Sequence, residues 1–254
     1  MRYRTGHIAM DRHPEPLLAA AREMSRDLAT LRFGAPVDTV YAPLDYAWCG
    51  FRAFVESWAP RRAAVLFLGM NPGPFGMAQT GVPFGEVHTA RDWLGIDCAV
   101  DAPAREHPKR PIEGFACPRR EISGARLWGL FRDRFGTPGA FFRDHFVANY
   151  CPLMFVEASG RNRTPDKLPA AERSPLLALC DRHLLAVVEH LRPRWLVGIG
   201  AFAMRAAQRA VFPLPEIERP LCVQILHPSP ASPAANRGWA QAATTALIDA
   251  GIWD

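Results

Sequence analysis

Three polar residues stand where a short apolar run gives way to a proline-bearing turn. They are Asn71 in Asn71-Pro72-Gly73-Pro74, Asn149 in Asn149-Tyr150-Cys151-Pro152, and His227 in His227-Pro228-Ser229-Pro230. Neither asparagine takes up a proton at neutral pH, so the set is neither a pair of catalytic carboxylates nor a nucleophilic triad. A carboxamide offers two donors and an acceptor in one plane, which lets it orient a water or read the edge of a heterocycle. An imidazole can donate a hydrogen bond to an oxygen on which negative charge develops. Such a set suits cleavage of a bond whose leaving group departs as a stabilised anion.

Something must bring these residues together, and the pattern around them supplies it. The spacing of apolar residues predicts helices over Pro14 to Leu31, Tyr46 to Trp58, Leu176 to Leu191, Ala201 to Val211 and Trp239 to Ala250. Val65 to Leu68, Phe146 to Ala148, Trp195 to Ile199 and Leu221 to Leu226 read as strands, the first apolar throughout as in a strand buried on both faces. Alternating strands and helices predict an α/β fold: a single three-layer domain with a central, mostly parallel sheet flanked by helices. Ligands of such sheets sit outside the carboxyl ends of the strands, so a parallel sheet makes Asn71, Asn149 and His227 converge on one crevice. Pro103 to Glu121 reads as an irregular excursion. The expected organisation is an N-terminal helical extension, residues 1–36, followed by a catalytic domain, residues 37–254.

Composition narrows the class. The chain has 254 residues, 49% of them hydrophobic, and a formal net charge of +5, which permits a polyanionic partner without requiring one. Lysine occurs only at Lys109 and Lys167, so nearly all of the 30 basic residues are arginine. No apolar run is long enough to span a bilayer and the N-terminus lacks the apolar core of a secretion signal, so a soluble intracellular protein is expected. The 6 cysteines are widely scattered, with no C-x-x-C pair to suggest a zinc or iron–sulfur site, and read as reduced structural thiols.

The stretch Gly69-Met70-Asn71-Pro72-Gly73-Pro74-Phe75-Gly76-Met77-Ala78-Gln79-Thr80-Gly81-Val82-Pro83-Phe84-Gly85-Glu86 resembles motif 1 of the single-strand-selective monofunctional uracil-DNA glycosylases. His227-Pro228-Ser229-Pro230, with Asn236, Arg237, Gly238 and Trp239, is similar to their motif 2. The likeness extends to Arg91 to Ile96, Glu106 to Pro111, Ser123 to Arg126, Asn149 with Cys151 to Leu153, and Ser159 to Asn162. It implies a glycosylase fold and hydrolysis of the N-glycosidic bond of uracil and C5-modified uracils, such as 5-hydroxymethyluracil, in single- and double-stranded DNA. It also implies no metal or organic cofactor, no membrane association, a monomer, and a location in the bacterial nucleoid or, in a eukaryote, the nucleus.

Carried over position by position, the resemblance makes Asn71 the residue that positions water. His227 becomes the residue that stabilises charge on uracil O2, Phe84 the aromatic on which the extruded base stacks, and Asn149 the partner of the base edge. Gly73 and Met77 resemble the positions whose backbone, through a water, monitors C5. Pro228 to Arg237, including Ser229, Pro230, Ala231 and Asn236, resembles the loop that wedges into the duplex. The family pattern carries arginine directly after His-Pro-Ser-Pro, whereas this chain has Ala231, a smaller and uncharged tip that predicts a stronger preference for single strands.

Two other classes remain open in the sequence. Gly198-Ile199-Gly200 follows a strand and opens a helix, as the turn of an NAD(P)-dependent oxidoreductase does. A non-catalytic binder of single-stranded DNA would use the same crevice.

Overall fold

The computed structural model describes residues 13–254. The first twelve residues of the segment expected as an N-terminal extension lie outside that range. In chain order the elements are α1 (Glu15–Leu28), β1 (Val37–Tyr41), α2 (Pro43–Tyr46), α3 (Trp48–Trp58), β2 (Val65–Gly69), α4 (Met77–Thr80), α5 (Val87–Asp92), α6 (Ile122–Phe135) and α7 (Pro138–Phe142). There follow β3 (His145–Asn149), β4 (Met154–Glu157), β5 (Asn162–Arg163), α8 (Ala170–Leu191), β6 (Trp195–Ile199), α9 (Ala201–Val211), β7 (Leu221–Ile225), α10 (Pro233–Asn236) and α11 (Trp239–Asp249).

The central sheet has four strands in the order β3-β2-β6-β7, each pair parallel. Every residue of β2 is buried, as its unbroken apolar run requires of a strand covered on both faces. Gly69 pairs with Asn149 across β2 and β3, and Ile199 pairs with Ile225 across β6 and β7. The strands therefore end at one level. Asn149 closes β3, Asn71 lies two residues beyond β2, and His227 lies two residues beyond β7. A second sheet, β1-β4-β5, is antiparallel and shares no strand pairing with the first, though its Val37 and Phe155 belong to the same apolar core. Its strands carry no local signal strong enough to separate them from loops.

Helix α8 starts at Ala170, well before the expected Leu176, and runs through Pro175 in its second turn, where the proline forfeits one backbone hydrogen bond without ending the helix. Helix α1 buries Leu17, Leu18, Met24 and Leu28 in the same apolar core as the central strands. Among the described residues no helix is long and apolar enough to cross a membrane.

Candidate active site

The site is built on β2. At Gly69 a Cβ would collide with Asn149 Oδ1 and with the ring of Phe84, so only glycine lets the strand carry both side chains on its last residue. Asn149 Nδ2 points to Met77 Sδ at 3.2 Å, a weak acceptor, and Asn149 Oδ1 is buried with no hydrogen-bond partner. Such an orphaned acceptor is costly, about 1–3 kcal/mol, unless a ligand donates to it. Phe84 has φ +53°, a conformation rarely adopted by a bulky residue. Its surroundings enforce it: the Gly85 amide donates to Val82 O (2.8 Å), the Thr80 hydroxyl to Gly85 O (2.9 Å) and Trp128 Nε1 to Pro83 O (3.3 Å). The aromatic ring is thereby delivered to the amide of Asn149.

Asn71 is half-buried and donates from Nδ2 to Leu153 O at 3.2 Å. That bond fixes the plane of the amide and leaves Oδ1 as an acceptor for a water. Gly73 lies against the carboxylate of Glu121, and its carbonyl accepts from Gly76 and Ala78 at 3.3 Å. Met77 opens α4, where the first amides lack an intrahelical acceptor. Burial pushes the Glu121 carboxyl above its ordinary range, with Glu86 adding to the rise and the Phe75 and Ser123 amides opposing it.

The Ser229 amide donates to His227 Nδ1 at 3.1 Å, so the neutral ring carries its proton on Nε2. Burial lowers the pKa of His227. A half-buried neutral imidazole with a free Nε2–H is a donor suited to an oxygen that becomes negative. Gly200, at φ +90°, seats this ring: a Cβ there would lie 3.0 Å from His227 Cβ. Beyond His227, Pro228 is buried and Ser229 half-buried, while Pro230, Ala231, Asn236 and Arg237 are exposed. Asn236 serves the loop itself, donating from Nδ2 to Pro230 O at 2.9 Å.

The model of the Uracil DNA glycosylase superfamily matches residues 57–247. The chain belongs to that superfamily. As a superfamily member it is 50% identical over 239 residues to the rat single-strand selective monofunctional uracil-DNA glycosylase (Rattus norvegicus), covering 94% of this chain and 85% of the relative. The same relation holds at 49% to the mouse protein (Mus musculus) and 48% to the bovine one (Bos taurus), again over 94% of this chain and 85% and 87% of theirs. The crystal structure of wild-type SMUG2 from Pedobacter heparinus shares the fold, with a TM-score of 0.63 at 16% identity over 93% of this chain and 95% of that one.

The dinucleotide reading of Gly198-Ile199-Gly200 gives way to packing within this glycosylase fold. A Cβ at Gly198 would lie 2.5 Å from the Met204 backbone, so glycine serves helix packing there, and the Gly200 amide is spent on Ile225 O at 2.8 Å. Both glycines are explained without a pyrophosphate. Three residues that support the site were not singled out by type or spacing. Buried Gln79 ties motif 1 to the excursion, accepting from the Glu113 and Gly114 amides (2.8 and 3.1 Å) and donating to Pro74 O and Pro111 O (2.9 and 3.0 Å). Glu121 and Arg126, at the start of α6, reach motif 1 and the His227 loop respectively. Their partners lie far away in sequence, where no local pattern points.

Proposed function

We propose that this protein removes uracil from DNA by hydrolysing the N-glycosidic bond, leaving an abasic site. The observation that carries the reading is Asn149 Oδ1, a buried acceptor without a partner beside the Phe84 ring. Uracil presents N3–H, a donor, at its pairing edge. Cytosine presents a bare N3 there and would leave the amide oxygen unpaired, so the same atom distinguishes the two bases.

A base inside a duplex hides its glycosidic bond, and extruding it costs a few kcal/mol, least for unpaired or mismatched bases. Stacking on Phe84 returns about 1–3 kcal/mol, and the amide contact of Asn149 discriminates by a similar amount. As the bond to the sugar lengthens, charge accumulates on the departing base and His227 Nε2–H donates to O2. Asn71 aligns a water but takes no proton from it, so departure of the uracil anion runs ahead of water attack, through a sugar cation. No lysine lies in the strand-end motifs, and the Lys109 ammonium donates to Ser159 O at 3.3 Å. That fits hydrolysis without the Schiff base of a strand-cleaving lyase.

The backbone at Gly73 and Met77 holds a water over C5. A hydroxymethyl group reproduces the hydrogen bonds of that water, whereas a methyl group displaces it and pairs with nothing. The enzyme therefore accepts 5-hydroxymethyluracil and rejects thymine. It works as a monomer on single- and double-stranded DNA, in the compartment that holds the genome. Incubation with an oligonucleotide carrying one uracil, followed by hot alkali, tests the reading. Scission only after alkali is the expected result. An uncut strand that the protein retains would mean a silent binder, and scission without alkali would mean a lyase.

A further inference from the structure

Within eight residues, α6 and the residue just before it touch both ends of motif 1 and the loop that follows His227. Glu121, just before the helix, seats its carboxylate on Gly73 and its methylene stem on Gly76, and accepts from the Phe75 amide at 3.4 Å. Gly124 lies so close to Phe84 O that a Cβ there would collide with it, and Trp128 bonds Pro83 O. On the same turns Arg126 donates to Pro228 O (3.1 Å) and to Asn236 Oδ1 (2.9 Å), and Asn236 in turn closes the loop on Pro230 O. No carboxylate pairs with Arg126 among the described residues, so its guanidinium is committed to this loop alone. A helix is stiff over such a length, so the loop that follows His227 and the base pocket are held in one register by a single element.

We propose that Arg126 is a positioning residue for duplex substrates: it holds the 228–236 loop ordered against α6 so that its tip enters the duplex as the base reaches Phe84 and Asn149. The inference rests on the uracil-excision reading. On a single strand there is no stack to open and no gap to fill, so Arg126 matters little there. On a duplex, a loop released from α6 must be ordered anew each time the base is extruded. The fraction of bound complexes with the base extruded falls, while the contacts that bind the duplex remain.

The test compares wild type, Arg126→Ala and Arg126→Lys on one uracil placed in a single strand, a fully paired duplex, and an unpaired bubble within the same duplex. Loss of two hydrogen bonds from a charged donor predicts a fall of about 10-fold to 100-fold for Arg126→Ala on the paired duplex, in kcat rather than KM. The single-strand and bubble rates stay within about threefold of wild type, which also shows that the variant is folded. Arg126→Lys, able to make one of the two bonds, falls between. An equal loss on all three substrates, a loss confined to KM, or no loss on the duplex overturns the proposal. Wild type inactive on every substrate would instead overturn the uracil-excision reading.

Discussion

His227 sets the pH dependence of the proposed reaction. Burial lowers its pKa, and the Ser229 amide holds the neutral ring with its proton on Nε2. A lowered histidine pKa means that the folded state disfavours the protonated form. The stability this group contributes is present above its unfolded value and is lost as pH falls through that value toward the folded one. Activity of the folded enzyme that depends on the neutral donor is lost only as pH falls through the folded pKa. The acid limb assigned to His227, as the part of the kcat/KM profile that disappears in His227→Gln, therefore lies below the ordinary histidine pKa of about 6.5. A limb at or above that value would contradict the tautomer and its burial. The type of Asn71, Asn149 and His227, and their places after apolar runs, were legible from sequence. The tautomer was not, because it depends on one backbone amide and on burial.

Among the elements, the ends of β2, β3 and β7 were readable because each is an apolar run broken by proline. Helix α6 was not. Its inner face includes Gly124, which costs a helix interior about 1 kcal/mol and weakens the helical pattern, yet glycine is required where the helix meets Phe84 O. The antiparallel strands were equally silent: β1 pairs with β4 across a long sequence separation, and β5, in a hairpin with β4, is too short to carry a pattern. The 228–236 loop carries a prediction of its own. Ala231 is exposed at the tip, bonded through its amide to Ser229 Oγ at 3.2 Å. Ala231→Arg adds length and a cation beside a polyanion, so the ratio of duplex to single-strand excision rates rises several-fold, about one phosphate contact's worth. An unchanged ratio would reject the idea that the residue after His-Pro-Ser-Pro sets strand preference.

At the scale of the whole molecule, the catalytic face and the apolar core are separable. Leu191, fully buried, closes α8 beside the start of β2, where its carbonyl accepts from the Ala63 amide, at the end of the sheet opposite the strand ends that carry the motifs. Leu191→Ala leaves a cavity there and lowers unfolding free energy by about 2–5 kcal/mol in urea titration. The excision rate per folded molecule stays at the wild-type value. A rate that falls in proportion to stability under folding conditions would mean that the end of α8 shapes the site rather than the core. The parallel sheet was legible as a whole because alternation of strand and helix is a global pattern. The clamp formed by Gln79 was not, since it joins motif 1 to a segment whose regular structure there is one short 3-10 turn, Gly114–Ala116.

The central claim is that uracil leaves DNA as a hydrogen-bonded anion in a pocket made by Asn149, Phe84, Asn71 and His227. The most direct measurement is the yield of free uracil from a single-stranded oligonucleotide carrying one uracil, for wild type and for His227→Ala at neutral pH. The account predicts one free uracil per abasic site from wild type, and a rate lower by about 10²–10³-fold without the donor. No free uracil from wild type, or an equal rate from His227→Ala, would contradict it.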